Sequence, residues 1–211
     1  MELKDILNEI KNNKKDTFTE SIDVVFHLSI HSKKNDQNIK LNYLLPHPVI
    51  KRPLKLLVFD DKLGEADRQK HNIDYLGNEE IIDKIRAGWL DFDLIISAQS
   101  CMPKLLVLGK ILGPKGLLPS VKEGTVVQDT IATVEKFRAG QKVLRNDSGG
   151  NVHLSIGLVT FENEKLIENF EYLLKLIKSK KPASIKKNYI KKISFSSTMG
   201  KSFKLDTKGL V

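Results

Sequence analysis

The residues that could do chemistry fall into three short segments and a few isolated side chains. The most distinctive segment is Gly109-Lys110-Ile111-Leu112-Gly113-Pro114-Lys115-Gly116-Leu117-Leu118-Pro119. A phosphate-cradling loop needs glycines followed by a lysine and a hydroxyl opening a helix. Here Lys115 precedes Gly116, no Ser or Thr follows, and Pro119 blocks a helix at that point. The G-x-G-x-x-G spacing of a dinucleotide fingerprint is also absent. What remains is a rigid basic loop. In it Lys110, Gly113, Lys115 and Gly116 could bring backbone and charge close to a phosphate chain, against the plainer reading of a structural turn.

The second segment is Ser194-Phe195-Ser196-Ser197-Thr198-Met199-Gly200-Lys201. Strand alternation puts Phe195 and Ser197 on one face and Ser194, Ser196 and Thr198 on the other. Hydroxyls both donate and accept, which suits ribose 2′-OH groups and phosphates. Gly200 lets the backbone approach closely, and Met199 can pack flat against a sugar or base. The third segment, Arg145-Asn146-Asp147-Ser148-Gly149-Gly150, is a tight turn before a strand, with Arg145 a candidate phosphate contact.

Catalysis finds little support. The five histidines, His27, His31, His47, His71 and His153, make no zinc-ligand spacing with a carboxylate or with the single cysteine, Cys101. One cysteine excludes a disulfide framework, and it reads as a small buried residue. Asp60-Asp61 ends a strand where some α/β enzymes place carboxylates, but a solvated loop is the expected reading. We therefore expect a non-enzyme with no cofactor and no metal. The alternative is a nucleotide- or phosphosugar-binding α/β enzyme using Lys115 and the Gly109–Pro119 loop.

Composition narrows the partner. The 211 residues suffice for one large or two small domains, and the formal net charge is +9. Residues 1–47 carry seven basic and seven acidic side chains, residues 48–139 fourteen and thirteen, residues 140–211 fourteen and six. The excess sits in the last third, which points to a polyanion. No apolar run approaches membrane-spanning length and no signal-peptide core opens the chain, so no membrane partner and a reducing compartment are expected.

These segments need elements to hold them. Leu3, Ile6, Leu7 and Ile10 predict a short amphipathic helix, and Ile22, Val24, Phe26, Leu28 and Ile30 alternate as a half-buried strand. A second extended run reaches Leu44-Leu45. Pro46, Pro48 and Pro53 then mark a linker. Beyond it strands at 54–59, 73–76 and 93–97 alternate with helices at 63–70, 79–87, 102–108 and 129–138. After Gly140 the first grammar returns, with a strand at 152–156, a long helix through Leu166, Phe170, Leu173, Leu174 and Ile177, and strands at 189–196 and 203–205. The fold class expected is α/β with two domains. An α+β domain formed by both chain ends (1–47 and 140–211) carries an inserted three-layer, Rossmann-like α/β domain (48–139) with a mainly parallel sheet. Two linkers side by side would permit hinge motion. The basic surface then lies where the two chain ends meet.

Taken in order, several of these stretches resemble the family of large-subunit ribosomal protein one, the mobile stalk protein. The markers are Phe18-Thr19-Glu20-Ser21-Ile22-Asp23-Val24, Lys34-Asn35-Asp36-Gln37-Asn38, Leu45-Pro46-His47, Gly88-Trp89-Leu90-Asp91-Phe92-Asp93, the Gly109–Pro119 run, Gly124-Thr125-Val126, Arg145-Asn146-Asp147, Lys181-Pro182 and Ser197-Thr198-Met199-Gly200. The resemblance implies a structural constituent of the large subunit, monomeric within the ribosome. It implies binding to ribosomal RNA of the stalk, help in releasing deacylated tRNA from the exit site, and possible repression of its own mRNA. It implies RNA contacts at Phe18, Glu20, Ser196, Thr198, Met199 and Gly200, with Arg145 and Asp147 nearby and Lys110, Gly113, Lys115 and Gly116 as a secondary RNA- or tRNA-facing loop. Thr17, Ser148 and Ser120-Val121 depart from the family's usual Lys, Lys and Asn-Pro, and the chain opens without the basic arm of most bacterial members. The lysines at 180–181, 186–187 and 191–192 are placed to compensate. The Lys/Ile/Asn bias and short start favour an organellar source (mitochondrion or plastid) slightly over bacterial cytoplasm.

Overall fold

The computed structural model describes residues 2–13, 18–31, 37–50, 52–182, 185 and 188–206. Along the chain the elements are α1 (Leu3–Asn12), β1 (Ser21–Leu28), β2 (Lys40–Tyr43), β3 (Leu56–Phe59), α2 (Glu65–Lys70), β4 (Tyr75–Leu76), α3 (Glu79–Arg86), β5 (Leu94–Ala98), α4 (Met102–Leu106), α5 (Gly109–Leu112), β6 (Val126–Val127), α6 (Thr130–Arg138), β7 (Lys142–Arg145), β8 (Asn151–Leu158), α7 (Asn163–Ser179), β9 (Ile190–Ser197) and β10 (Ser202–Leu205). The chain divides into two units, Met1–Val49 with Val143–Val211, and Ile50–Lys142. The architecture is mixed α/β, with an antiparallel sheet in the first unit and a parallel one in the second.

In the terminal unit four strands run in the order β10-β9-β1-β8, each antiparallel to its neighbour. Alternation sorts each strand into two faces. Ile22, Val24, Phe26 and Leu28 of β1 turn inward with Val152, Leu154 and Ile156 of β8 and Ile193 and Phe195 of β9, all buried. Helices α1 and α7 close over this apolar face. α1 offers Ile6, Leu7 and Ile10, and α7 offers Leu166, Phe170, Leu173, Leu174 and Ile177. Phe170 sits between Phe26, stacked at 6.0 Å, and Phe195, tilted at 5.1 Å. Burying one such ring contributes about 1.5–3 kcal/mol. Asn169, fully buried on α7, accepts from the His47 backbone N–H at 2.9 Å and donates to the carbonyls of His47 at 2.9 Å and Ile156 at 2.8 Å. It thereby fastens the proline-bounded segment Pro46-His47-Pro48 to the helix. β2 and β7 form a separate two-stranded sheet that the sequence pattern does not announce.

The inserted unit is a parallel sheet ordered β4-β3-β5-β6. β3 is buried throughout and β5 nearly so, as expected of strands covered on both faces. Asn78 and Asp129 cap α3 and α6 by accepting from Ile81 N–H and Ala132 N–H. Arg138, at the end of α6, donates to the Leu54 and Asn72 carbonyls and to Asp74. One helix boundary differs from expectation. The chain stays helical over Gly109–Leu112, the first four residues of the Gly109–Pro119 segment that reads as a loop, because Leu105, Leu108 and Leu112 all bury in one cluster. Burial there overrides the poor helix propensity of glycine.

Candidate RNA interface

The corner where β1 begins and β9 ends is built from residues nearly 180 positions apart. Ser21 N–H donates to Thr198 Oγ1 at 3.0 Å, and Thr198 N–H donates back to the Ser21 carbonyl at 3.1 Å. The two hydroxyls also bond at 3.0 Å, and Ser21 Oγ reaches Asp23 Oδ2 at 3.2 Å. Met199 N–H donates to Glu20 Oε2 at 3.4 Å, while Val159 N–H donates to the Glu20 carbonyl at 3.0 Å. Gly200 turns so tightly that a Cβ on it would lie 2.3 Å from Ser197 Oγ.

The corner therefore holds some groups inside and presents others. Phe18 is 47% exposed and Met199 60%, both large apolar side chains open to solvent. Thr198 and Gly200 are also exposed. Glu20 is only 2% exposed. The family resemblance implies a ribose contact for it; here its carboxylate faces inward onto the Met199 amide and fixes the turn. Thr17 lies outside the described residues.

From this corner a polar surface runs along the outward face of the sheet. Ser202, Ser196, Asp23 and Ser155 stand side by side across β10, β9, β1 and β8, followed by Lys204, Ser194, Val25 and His153, then Lys192, His27 and Asn151. Ser196 thus belongs to the first row, next to the corner. The oxygens Ser155 Oγ and Ser194 Oγ are buried without a hydrogen-bond partner.

Arg145 and Asp147 do not lie near Thr198. β8 runs antiparallel to β1, pairing Asn151 with His27 and Leu158 with Ser21, so the turn before β8 lands at the opposite end of the sheet. From Ile22 to His27 that is roughly 17 Å at ~3.3 Å per residue. At this far end Asp147 accepts from the Asn151 backbone N–H at 2.7 Å and its side chain at 3.0 Å, with His153 at 3.3 Å. Asn151 Oδ1 in turn meets His27 Nδ1 at 2.9 Å. Burial pushes the Asp147 carboxyl up, and the bonds from Asn151, His153 and Gly149 outweigh it, holding the group below its ordinary range. Arg145 and Ser148 are exposed.

In the inserted unit Lys110 is exposed on α5, and the turn that follows it exposes Gly113 and Lys115 and half-buries Gly116, between buried Leu112 and Pro119. The strand order creates a switch point after β3 and β5, where α/β folds bind nucleotides. That crevice is filled from within. Thr130 Oγ1 donates to Asp60 Oδ2 at 2.7 Å, and Lys104 pairs with Asp61 at 3.2 Å. The Lys104 ammonium and the nearby Cys101 thiol hold the Asp61 carboxyl below its ordinary range. Asp60-Asp61 is accordingly more engaged than the solvated loop expected. Cys101 is buried as its type suggests. A depression lined by Arg68, Arg138, Glu65 and Asp74 balances its own charges. Among the described residues no His, Cys, Asp and Glu group could hold a metal ion, and no helix is long and apolar enough to cross a membrane.

The described residues thus form an α/β protein of two units, with a polar sheet face that leads to a corner of exposed Phe18, Thr198, Met199 and Gly200. A sequence model of the ribosomal protein L1p/L10e family matches residues 10–201, and the chain belongs to that family of structural, non-enzymatic ribosomal proteins. It is similar to the large ribosomal subunit protein uL1 of Mycoplasmoides gallisepticum, 42% identical over 188 residues, which covers 89% of this chain and 82% of the relative. Membership excludes the nucleotide-dependent enzyme weighed from the sequence. The relative is bacterial, so the organellar source favoured from the sequence bias gains no support from it.

Proposed function

We propose that this protein, a structural constituent of the large ribosomal subunit, grips ribosomal RNA of the stalk through the Thr198 corner and the outward sheet face. Phe18 and Met199 pack on sugars or bases, Thr198 and Ser196 bond ribose and phosphate oxygens, and Gly200 admits the backbone of the RNA. Glu20 acts through the Met199 amide rather than by touching RNA. Arg145 and Asp147 contribute at the far end of the same face. The observation that carries this reading is the corner itself: Met199 held exposed on a turn whose backbone is bonded to the start of β1, with Phe18 exposed just ahead of that strand.

The finer roles follow from one RNA surface. The same corner binds a matching helix and internal loop in the protein's own mRNA, so ribosomal RNA and messenger compete and the protein represses its own translation. The exposed turn at Lys110, Gly113, Lys115 and Gly116 faces exit-site tRNA and assists its release. The protein works in bacterial cytoplasm, on the ribosome.

Binding of an RNA helix with an internal loop tests the reading. Met199→Ala lowers affinity by roughly 5- to 150-fold, as loss of base or sugar packing worth ~1–3 kcal/mol requires, with the melting temperature unchanged. Wild-type affinity in that variant would remove the corner from the interface.

A further inference from the structure

The excess positive charge of this chain does not sit at the Thr198 corner. Between Glu171 and Asp206 the sequence carries ten lysines and no Asp or Glu. A merely solvated surface mixes both signs, as α3 does with Glu79, Glu80 and Asp83 beside Lys84 and Arg86. A run this long without an acid needs another reason.

Topology gathers five of them, Lys178, Lys180, Lys181, Lys191 and Lys192, at one place, while Lys201 follows Gly200 at the corner and Lys186 and Lys187 lie outside the described residues. Leu166 of α7 packs against Gly157 near the corner end of β8, while Phe170 stacks on Phe26, whose strand partner is Val152. α7 therefore travels away from the corner, and its last turn delivers Lys178, Lys180 and Lys181 to the far end of the sheet. The chain re-enters the sheet there. Ser29 N–H donates to the Tyr189 carbonyl, and β9 opens with Lys191 and Lys192, the latter beside His27. Arg145 stands at the same end, because Asn146 bridges to Val152. Lys178, Lys180, Lys181, Lys191 and Arg145 are all exposed. Two carboxylates stand at this end, Asp147, which accepts from Asn151 and His153, and the exposed Asp206, which follows Leu205 of β10. Three separate segments thus converge their cations on one edge, roughly 17 Å from the corner by the rise of β1.

We propose that this far edge is a second, sequence-blind grip on the sugar–phosphate backbone of the RNA that the corner reads. The inference rests on the RNA-binding reading above and divides its labour. Exposed lysines attract phosphate without distinguishing bases, and the largely uncharged corner supplies discrimination. Each phosphate neutralised releases counterions, so the far edge governs the salt dependence of binding and the corner does not.

The test uses the full chain and two RNAs, one helix with an internal loop and the same helix fully paired, over a series of potassium chloride concentrations. In Lys180→Gln/Lys191→Gln/Lys192→Gln the slope of log affinity against log salt falls by roughly 2–3, about 0.9 for each duplex phosphate no longer neutralised. Preference for the looped RNA stays at its wild-type ratio. The corresponding triple Lys→Arg variant keeps the wild-type slope. Met199→Ala gives the reverse pattern, with the preference abolished and the slope unchanged. A wild-type slope in the triple Gln variant overturns the proposal. A wild-type protein that does not prefer the looped RNA sinks the corner reading alone, and the far edge then stands or falls on its slope.

Discussion

Ser21 and Thr198 exchange backbone and side-chain hydrogen bonds, each N–H donating to an oxygen of the other at 3.0–3.1 Å. Ser21 is buried and Thr198 exposed, so one residue of the pair belongs to the fold and the other faces solvent. A hydroxyl that closes the sheet thus sits on a residue that is open to solvent.

Thr198→Val removes the acceptor of Ser21 N–H. The folded state loses about 1 kcal/mol, the usual worth of one such bond, and RNA affinity falls as well. Thr198→Ser retains the oxygen and restores both. Urea unfolding alongside RNA titration separates the two effects. Full affinity in the Val variant would mean that Thr198 serves the fold alone.

Gly200→Ala places a methyl carbon against Ser197 Oγ, the oxygen of a buried neighbour. The turn must open, and Met199 loses its bond to Glu20. RNA binding drops in the single variant and returns in Ser197→Ala/Gly200→Ala, where the obstructing oxygen is gone. An equal loss in both variants would show that the side chain on residue 200 obstructs RNA directly.

Asn169→Ala leaves the His47 N–H and two carbonyls without partners inside the terminal unit. Stability falls by about 2–4 kcal/mol, since buried groups left unpaired cost ~1–3 kcal/mol each and water recovers part. Chemical denaturation measures it. A loss under ~1 kcal/mol would mean that the segment is not held by this side chain.

The Asp147 turn should weaken in acid. Its carboxyl is held below the ordinary value of 3.8 in the folded state. A depressed carboxyl stabilises the fold above its unfolded value, and that contribution disappears as pH falls through the folded value. The stability difference between wild type and Asp147→Asn should stay constant from neutral pH to about 4.5 and shrink below it. A difference that grows on acidification would reverse the sign of the argument.

Much of the terminal unit was legible in the sequence. The alternation of Ile22, Val24, Phe26 and Leu28 and the helical spacing of Leu166, Phe170, Leu173 and Ile177 are local signals, and both elements form where they predict. β6 and β7 escaped because two residues, or four with one fully buried, carry no period to detect. The helix over Gly109–Leu112 was hidden by its glycines, although Leu105, Leu108 and Leu112 already stood at helical spacing. The site was legible as residue types but not as an arrangement. That Glu20 turns inward depends on a backbone amide 179 residues later. That Arg145 and Asp147 sit across the sheet from Thr198 depends on strand register, which no local pattern encodes.

The strand order β10-β9-β1-β8 has a consequence for synthesis. β1, made first, has both of its sheet neighbours in the last third of the chain, so its edges stay unpaired while the whole inserted unit is translated. Pairings of this separation form late. The inserted unit, contiguous in sequence, can fold as soon as it emerges. A nascent chain interrupted before Ser197 therefore has a finished inserted unit and an incomplete Thr198 corner. The corner closes only after the inserted unit has been made.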